Sequence, residues 1–189
     1  VEADALCIQL NPLQEASQPE GDLNWSGVLA KIRDLCDGVG VPVIVKETGA
    51  GINGVVAKEL ARAGVKAIYV SGAGGTSWSA VESYRGEGVG KTFWDWGVPT
   101  AQALAQCVKA VKIQVIASGG VRSGLDAAKA IRLGASVAGA ASPFIKAQNT
   151  GGCEGVLSEI KRWKRELQTT MFLTRSKNLR ELKKAKLLE

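Results

Sequence analysis

Short apolar segments alternate with helical patterns along almost the whole of this 189-residue chain. The five apolar segments are each five or six residues long, which is typical of strands buried on both faces. Strands that alternate with helices pair in parallel, because a helical crossover returns the chain to the same end of the sheet. The pattern therefore predicts an α/β fold with strands at residues 5–10, 42–46, 67–71, 114–118 and 136–141.

Helical patterns lie between and after these strands. Asn53 is predicted to cap the helix after the second strand, and Gly64 is predicted to end it, because these residue types suit the two helix ends. No element is predicted for residues 72–99, which are rich in Gly, Ser and Trp. The predicted helices are residues 29–35, 54–63, 100–111, 123–133, 154–168 and 178–184.

Two architectures accommodate five strand–helix units. One is an open doubly wound sheet, and the other is part of a (β/α)8 TIM barrel, whose complete domain takes about 250 residues. With 189 residues, a barrel would be incomplete. No linker-like segment interrupts the chain, so residues 1–189 are predicted to belong to a single domain.

The net charge of +6 arises from an excess of basic residues in the C-terminal segment. Residues 160–189 hold ten Lys or Arg and three Asp or Glu, whereas the rest of the chain has a balance of −1. This segment is either a patch that binds nucleic acid or another anion, or the solvated face of a helix. The second interpretation is favoured, and no nucleic-acid partner is expected, because apolar residues recur there at the spacing of an amphipathic helix. These residues are Leu157, Ile160, Trp163 and Leu167.

Several classes of function are excluded by residue usage. The chain contains no histidine, so an imidazole base, a Ser-His-Asp triad and a His-ligated metal are excluded within these residues. Its four cysteines are dispersed without a CxxC pair, so no zinc site is predicted. The longest uncharged run, residues 67–81, is broken by Gly and Ser, so no membrane span is expected. Without a secretory signal, a reducing cytoplasm is the expected location.

Glycine-rich segments follow two of the predicted strands, at the end of the sheet where α/β proteins bind their ligands. Gly119 and Gly120 precede a helix, and their backbone N–H groups can face an anion without obstruction. The other segment adds the hydroxyl groups of Ser71 and Thr76. These features favour a phosphate site over ordinary glycine turns, although neither a Walker motif nor a G-x-G-x-x-G motif is present.

Two charged residues near the first two strands have alternative interpretations. Lys46 ends a buried strand, where it needs an acceptor such as a ligand carbonyl or an anionic ring, or an ion pair with Glu47. Glu15 is either a Mg²⁺ ligand or a carboxylate that is favoured at the start of a helix.

Six sequence blocks resemble the type 2 isopentenyl-diphosphate Δ-isomerase family. They are QLNPLQEASQPEGD (9–22), VPVIVKETGAGI (41–52), SGAGGTSW (71–78), FWDWGVPTA (93–101), VIASGGVRSGLDAAKAIRLGA (115–135) and KRELQTTMFLTRSKNLRELKKAKL (164–187). The resemblance implies a (β/α)8 barrel, present here as strands four to eight. It also implies the interconversion of isopentenyl and dimethylallyl diphosphate with reduced FMN, Mg²⁺ and NAD(P)H as reductant.

The same resemblance implies roles for individual residues. Gln14 and Glu82 correspond to catalytic positions, and Glu15 to the Mg²⁺ ligand. Asn11, Gln14 and Gln9 correspond to substrate-binding positions, with Gln9 standing where the family commonly has histidine. The positions on the FMN-binding loops are Lys46, Ser71, Thr76, Gly119, Gly120, Val121, Arg122, Ala141 and Ser142.

By the family pattern, this chain lacks the first three strands and their Arg-Lys substrate-binding pair. We therefore expect it to be inactive alone and to need the N-terminal segment of the same barrel as its partner. The resemblance also implies homo-oligomers of four or eight subunits. Two open sheet edges would also make it poorly soluble or self-associating. The alternatives are another FMN-dependent TIM-barrel oxidoreductase, such as a hydroxy-acid oxidase, and a non-catalytic truncated form.

Overall fold

A computed structural model describes residues 2–85 and 89–187. The strands are β1 (Leu6–Gln9), β2 (Val43–Lys46), β3 (Ala67–Tyr69), β4 (Gln114–Ala117) and β5 (Val137–Ala138). The helices are α1 (Pro12–Ser17), α2 (Val28–Gly38), α3 (Gly54–Arg62), α4 (Trp78–Ser83), α5 (Thr100–Ala110), α6 (Gly124–Arg132), α7 (Ser142–Leu173) and α8 (Leu179–Leu182). A 3₁₀ turn spans Val89–Lys91.

The five strands form one parallel sheet in which their spatial order is their order along the chain. Lys46 at the end of β2, for example, pairs with Gln9 of β1 on one side and with Tyr69 of β3 on the other. A doubly wound sheet reverses its strand order at a switch point, whereas successive barrel units add strands in one direction. The observed order therefore excludes the doubly wound alternative and agrees with five successive units of a barrel.

The hydrophobic core lies between the sheet and its crossover helices. Val45, Ile68 and Val115 at the centres of the middle strands are at most 1% exposed. Leu60 of α3 and Leu104 of α5 pack in the same cluster. This layer holds the middle strands in place, so the residues that follow them emerge at one edge.

All five predicted strands and all six predicted helices are present, and seven of these eleven elements are one or two residues shorter than predicted. β5 is four residues shorter and α8 is three residues shorter, whereas α2 is four residues longer than the predicted 29–35. Two helices were missed, α1 in the predicted loop after β1 and α4 in residues 72–99. Each spans six residues, which is too short for apolar periodicity to reveal. Both are instead stabilised by a side-chain cap, from Asn11 and Ser77 respectively.

The C-terminal helix is longer than the predicted 154–168. It runs from Ser142 to Leu173 with a break at Gly152 (φ 56°, ψ −143°). The amphipathic prediction is confirmed for Trp163, which is half-buried and whose ring lies 5.2 Å from that of Phe144. It is wrong for Ile160, which is 49% exposed, and for Leu157, which is also exposed, because α6 covers one stretch of the helix and not its whole apolar stripe.

None of the helices in residues 2–85 and 89–187 combines the length and apolar character that crossing a bilayer requires.

Candidate active site

A cleft of about 460 Å³ opens at the carboxyl ends of the strands. Loops from β2, β3, β4 and β5 line it. The structure brings all nine residues predicted for FMN binding into the wall of this one cleft. They are Lys46, Ser71, Thr76, Gly119, Gly120, Val121, Arg122, Ala141 and Ser142.

Two glycine-rich loops pack against each other, backbone to backbone, in the floor of the cleft. Gly119 and Gly120 have positive φ values of 94° and 76°. A Cβ atom on Gly119 would lie 2.1 Å from the carbonyl oxygen of Gly72, and one on Gly120 would lie 2.1 Å from that of Gly74. Glycine is therefore required by both backbone conformation and space. Thr100, which was not predicted as a site residue, secures the contact by donating from Oγ1 to the Gly119 carbonyl over 2.6 Å.

Polar groups of the cleft are arranged for a ligand that supplies acceptors. Ser118 lines the cleft and is 4% exposed, yet its Oγ has no hydrogen-bond partner among the described residues. Ser71 adopts a positive φ of 40°, an uncommon conformation for serine that is often found at ligand sites. Arg122 Nη2 donates to the Gly74 carbonyl over 3.1 Å, and α7 begins at the edge of the cleft with Ser142. The donor set and the buried unpaired hydroxyl suit a phosphate-bearing cofactor.

Lys46 lines the cleft and does not form the alternative ion pair with Glu47. Its Nζ donates to Thr48 Oγ1 over 2.7 Å and to Gln9 Oε1 over 3.1 Å, and it lies 6.0 Å from the centre of the Tyr69 ring. Successive strand residues point to opposite faces, so Lys46 and Glu47 are directed apart. The ammonium group thus faces the cleft, and its hydrogen-bond partners are both neutral.

Glu47 lies beneath the loop that follows β2. The residue is 4% exposed, and its Oε2 accepts from the backbone N–H groups of Ala50 (2.6 Å) and Gly51 (2.9 Å). Its Oε1 has no partner in the part of the chain that the structure describes. Burial raises the pKa of Glu47, and the backbone hydrogen bonds only partly offset this effect. Glu47 therefore shapes the loop beside the cleft.

A second cluster joins α1 to α4 through Gln14 and Glu82. The orientation of its amide groups follows from one fixed donor, the backbone N–H of Gln14, which donates to Asn11 Oδ1 over 3.1 Å. Asn11 Nδ2 must then face Gln14 Oε1, at 3.0 Å, which leaves Gln14 Nε2 to donate to Glu82 Oε1 over 3.2 Å. The Gln14 carboxamide is held at both ends in a defined direction.

Glu82 is the buried acid of this cluster, with the residue 5% exposed. Besides Gln14, it accepts hydrogen bonds from Gln18 Nε2 (2.9 Å) and from Arg85 Nη1 (2.7 Å). The bond from Gln18, followed by those from Gln14 and Arg85, lowers the pKa of Glu82 below its ordinary value, although burial opposes them. Neither Gln18 nor Arg85 was among the predicted site residues.

Thr48 connects the cleft with the Gln14–Glu82 cluster. Its Oγ1 accepts from Lys46 in the cleft, and its carbonyl oxygen accepts from Asn11 Nδ2 over 3.3 Å. Trp78, one helical turn before Glu82, also lines the cleft. Thr48 therefore links the two groups of predicted residues by hydrogen bonds, whereas Gln14 and Glu82 themselves do not line the cleft. Asn11 and Gln9 also lie outside the wall of the cleft, where Asn11 contacts Gln14 and Gln9 contacts Lys46.

Glu15 lies on α1 but not in the wall of the cleft. Its Oε2 accepts from the backbone N–H of Asp22 over 3.1 Å. Within residues 2–85 and 89–187, no three His, Cys, Asp or Glu side chains are grouped closely enough to hold a metal ion. A Mg²⁺ ion at Glu15 would therefore need ligands from substrate phosphate and water, which is a common arrangement for this ion.

Comparison with known proteins places these features in a family. The family model of FMN-dependent dehydrogenases matches residues 9–189. Isopentenyl-diphosphate delta-isomerase of Methanothermobacter thermautotrophicus is 51% identical over 98% of this chain and 53% of its own length. The protein of the same name from Archaeoglobus fulgidus is 52% identical over 97% of this chain and 54% of its own length. This chain thus spans about half the length of the curated relatives that it matches.

Solved structures of flavoenzymes share the fold. A lactate oxidase of Pediococcus acidilactici matches with a TM-score of 0.68 and 25% identity, over 90% of this chain and 42% of that one. A mandelate oxidase with an FMN adduct matches with a TM-score of 0.71 and 21% identity, over 98% of this chain and 55% of that one. These enzymes are TIM barrels, and the sequential parallel sheet is part of such a barrel. Because the family model matches residues 9–189, the chain belongs to the FMN-dependent dehydrogenase family.

Proposed function

We propose that this chain is part of an isomerase that interconverts isopentenyl and dimethylallyl diphosphate with bound FMN. The observation that carries the proposal is the single cleft in which all nine predicted FMN residues meet, linked by hydrogen bonds of Thr48 to the cluster of Gln14 and Glu82. The similarity to proteins named isopentenyl-diphosphate delta-isomerase, at 44–52% identity, supports the choice of reaction.

The cleft offers complementary groups for FMN. The backbone N–H groups of residues 119–122 and the start of α7 would hold the phosphate, with Arg122 beside it. Ser118 would gain the hydrogen-bond partner that its Oγ lacks within the described residues. Lys46 would meet the polar edge of the ring. Bound reduced FMN would supply proton-transfer chemistry without net redox change, and the chain would position substrate against it.

Gln14 and Glu82 would act on the substrate side of the site. Double-bond migration requires a proton to be added at one carbon and removed from another. Glu82 is held as a carboxylate, and Gln14 presents an amide whose direction Asn11 and Glu82 determine. Asn11 would therefore act mainly through Gln14, and Gln9 through Lys46, by orienting groups that face the reactants.

A diphosphate substrate would supply ligands for the Mg²⁺ ion predicted at Glu15. Glu15 would contribute one carboxylate to Mg²⁺, with substrate oxygens and water as the other ligands. NAD(P)H would act from solution as the reductant of FMN. The missing N-terminal segment of the barrel would complete the sheet edges at β1 and β5, so we expect the 189-residue chain to be inactive alone. Assembly into four or eight subunits in the cytoplasm, without a nucleic-acid partner, is part of the same proposal.

A hydroxy-acid oxidase is the second candidate, favoured by the TM-scores of 0.68 and 0.71 with lactate and mandelate oxidases. These 189 residues contain no histidine, so an oxidase mechanism with an imidazole base has no base within them. The similarity in fold to these oxidases therefore supports a shared cofactor site more strongly than a shared reaction.

The decisive experiment is an isomerase assay on this chain combined with the N-terminal segment of the barrel, with FMN, NAD(P)H and Mg²⁺, omitting one component at a time. We expect conversion of isopentenyl diphosphate that is lost without flavin, without reductant or without Mg²⁺. Gln14→Leu is expected to lower kcat at least tenfold while FMN fluorescence quenching is unchanged. Oxidation of lactate or mandelate without isomerisation would favour the second candidate, and isomerisation without flavin would contradict the proposal.

A further inference from the structure

The carboxylate of Glu82 receives two hydrogen bonds from residues outside the predicted site. Gln18 Nε2 donates to Oε1 over 2.9 Å, and Arg85 Nη1 donates to Oε2 over 2.7 Å. The contact from Gln18 is shorter than the 3.2 Å contact that Gln14 makes with the same oxygen. Each oxygen of Glu82 therefore has a donor whose role the resemblance does not explain.

Gln18 is held in place by the end of α1. Its backbone N–H donates to the carbonyl oxygens of Gln14 (3.0 Å) and Glu15 (3.3 Å). Gln18 is therefore the C-cap of α1, the helix that carries Gln14 and Glu15. Its side chain then extends to the same oxygen of Glu82 that Gln14 contacts. Because one helix end supplies both amides, Gln18 determines where Glu82 lies relative to Gln14.

Arg85 covers the cluster from the solvent side and joins two segments. Its Nη2 donates to Glu20 Oε1 over 3.1 Å while its Nη1 contacts Glu82. The side chain of Arg85 is 53% exposed, whereas that of Glu82 is 3% exposed. A planar guanidinium can contact two carboxylates at once in fixed directions, which ties the segment after α1 to the end of α4.

We propose that Gln18 and Arg85 are positioning residues that hold the Glu82 carboxylate ionised, with Oε1 directed at the Gln14 amide. The catalytic part of this inference rests on the proposed function, whereas the effect on Glu82 itself does not. Glu15 on α1 and Lys91 on the 3₁₀ turn are the other charged groups on elements packed against α4. Neither contacts Glu82 within the described residues, so Arg85 is the charged neighbour that matters.

The direction of the Glu82 pKa supports this assignment. The hydrogen bond from Gln18 is the largest single cause of the lowered pKa, burial acts in the opposite direction, and Arg85 lowers the pKa through both its hydrogen bond and its charge. If the donors were removed, burial would act unopposed and the pKa of Glu82 would rise. A protonated Glu82 could no longer accept from Gln14 in the same way, so the amide would lose its fixed direction.

The test compares Gln18→Leu and Arg85→Met with the unchanged sequence, each in this chain combined with the N-terminal segment of the barrel. Glutamate is labelled with ¹³C at the side-chain carboxyl carbon, and the Glu82 signal is identified by its loss in Glu82→Gln. We expect the pKa of Glu82 to rise by about one unit in each variant. The acid limb of the isomerase kcat/KM profile should move to higher pH by the same amount, while FMN affinity stays within twofold.

Two further variants separate positioning from folding. Arg33→Met removes an exposed arginine of α2, away from the cluster, and should leave the pKa of Glu82 unchanged. Arg85→Lys keeps the charge and should raise the pKa of Glu82 less than Arg85→Met does.

An unchanged pKa of Glu82 in both Gln18→Leu and Arg85→Met overturns the inference, whether or not the protein is an isomerase. A raised pKa with an unmoved acid limb overturns the catalytic role of these residues. A raised pKa in a completed barrel that lacks isomerase activity refutes the proposed function and leaves the electrostatic role of both residues intact.

Discussion

Glu47 directly follows β2 and Glu82 lies on α4, and they are almost equally inaccessible, at 4% and 5% exposure, yet their pKa values shift in opposite directions. Glu47 lies beneath backbone, where one oxygen accepts two amide N–H groups and the other has no partner among the described residues. Glu82 is covered by polar side chains that themselves reach solvent, including the half-exposed Arg85.

The comparison shows that burial alone does not determine the charge of a carboxyl group at this site. Desolvation dominates for Glu47, because two backbone hydrogen bonds to one oxygen do not compensate for the loss of water. Donors to both oxygens, one of them charged, dominate for Glu82. One glutamate is suited to shaping a loop and the other to keeping a charge in the site.

The largest effect is expected from Gly51→Val, which disrupts the loop that holds Glu47. Gly51 has a φ of +80°, and a Cβ atom there would lie 3.0 Å from Gly72 Cα and from the Val98 carbonyl oxygen. We expect the free energy of unfolding to fall by about 3 kcal/mol, measured by urea denaturation. Gly38→Val is the matched control, because no atom lies within 4 Å of its Cβ position. Equal losses in both variants would show that the Gly51 loop is not strained.

A smaller loss is expected from Glu82→Gln, which removes the charge but keeps the shape. An amide nitrogen would replace one oxygen that now accepts from Gln14 and Gln18 or from Arg85. We expect a loss of about 1–2 kcal/mol in the free energy of unfolding at neutral pH. Glu59→Gln, at an exposed position of α3, should have almost no effect in the same denaturation experiment. If the two variants behaved alike, the contacts of Glu82 would contribute nothing to stability.

Asn53→Ala tests whether the Glu47 loop depends on the helix that follows it. Asn53 Oδ1 accepts from the backbone N–H groups of Val55 and Val56, both over 3.0 Å, and so caps α3. Its removal should cost about 1 kcal/mol in thermal or urea unfolding, while Asn53→Asp should retain most of the stability. Full stability in the alanine variant would mean that the loop alone positions α3.

The smallest effect, and the most direct test of the comparison, is the pH dependence of stability. A raised pKa means that the folded state binds more protons, so the contribution of Glu47 falls as pH rises above 4.5, the ordinary value. A lowered pKa means that the unfolded state binds more protons, so the contribution of Glu82 is present above 4.5 and is lost as pH falls below it. The difference in unfolding free energy between the protein and Glu47→Gln should therefore slope downward with pH. The same difference for Glu82→Gln should slope upward, and slopes of equal sign would contradict the assignment.

Much of the fold was predictable because its signals are local. Strand and helix positions follow from apolar spacing over a few residues, and the cap at Asn53 and the left-handed Gly64 were predicted from residue type alone. The short helices α1 and α4 were missed because six residues contain too little periodicity. Leu157 and Ile160 were assigned to a packed face because a pattern shows which side of a helix is apolar, but not how much of it a neighbour covers.

The candidate site was predictable where function requires a residue type at the end of a strand. Ser118 could have been found in the same way, since it follows β4 directly, as Ser71 closely follows β3. Thr100 offered no such signal, because it contacts Gly119 only after two distant loops have packed together.

Local sequence patterns were therefore sufficient for the alternation of strands and helices and for the glycine loops at the ends of the strands. The tertiary structure decided three other features. They are the spatial order of the strands, the position of Thr48 between the cleft and the cluster, and the ionisation of Glu82. The reason is distance along the chain: Gln18 and Gln14 contact Glu82 across 64 and 68 residues. The charge of a buried carboxyl group depends on which donors reach it, and only the folded chain brings those donors together.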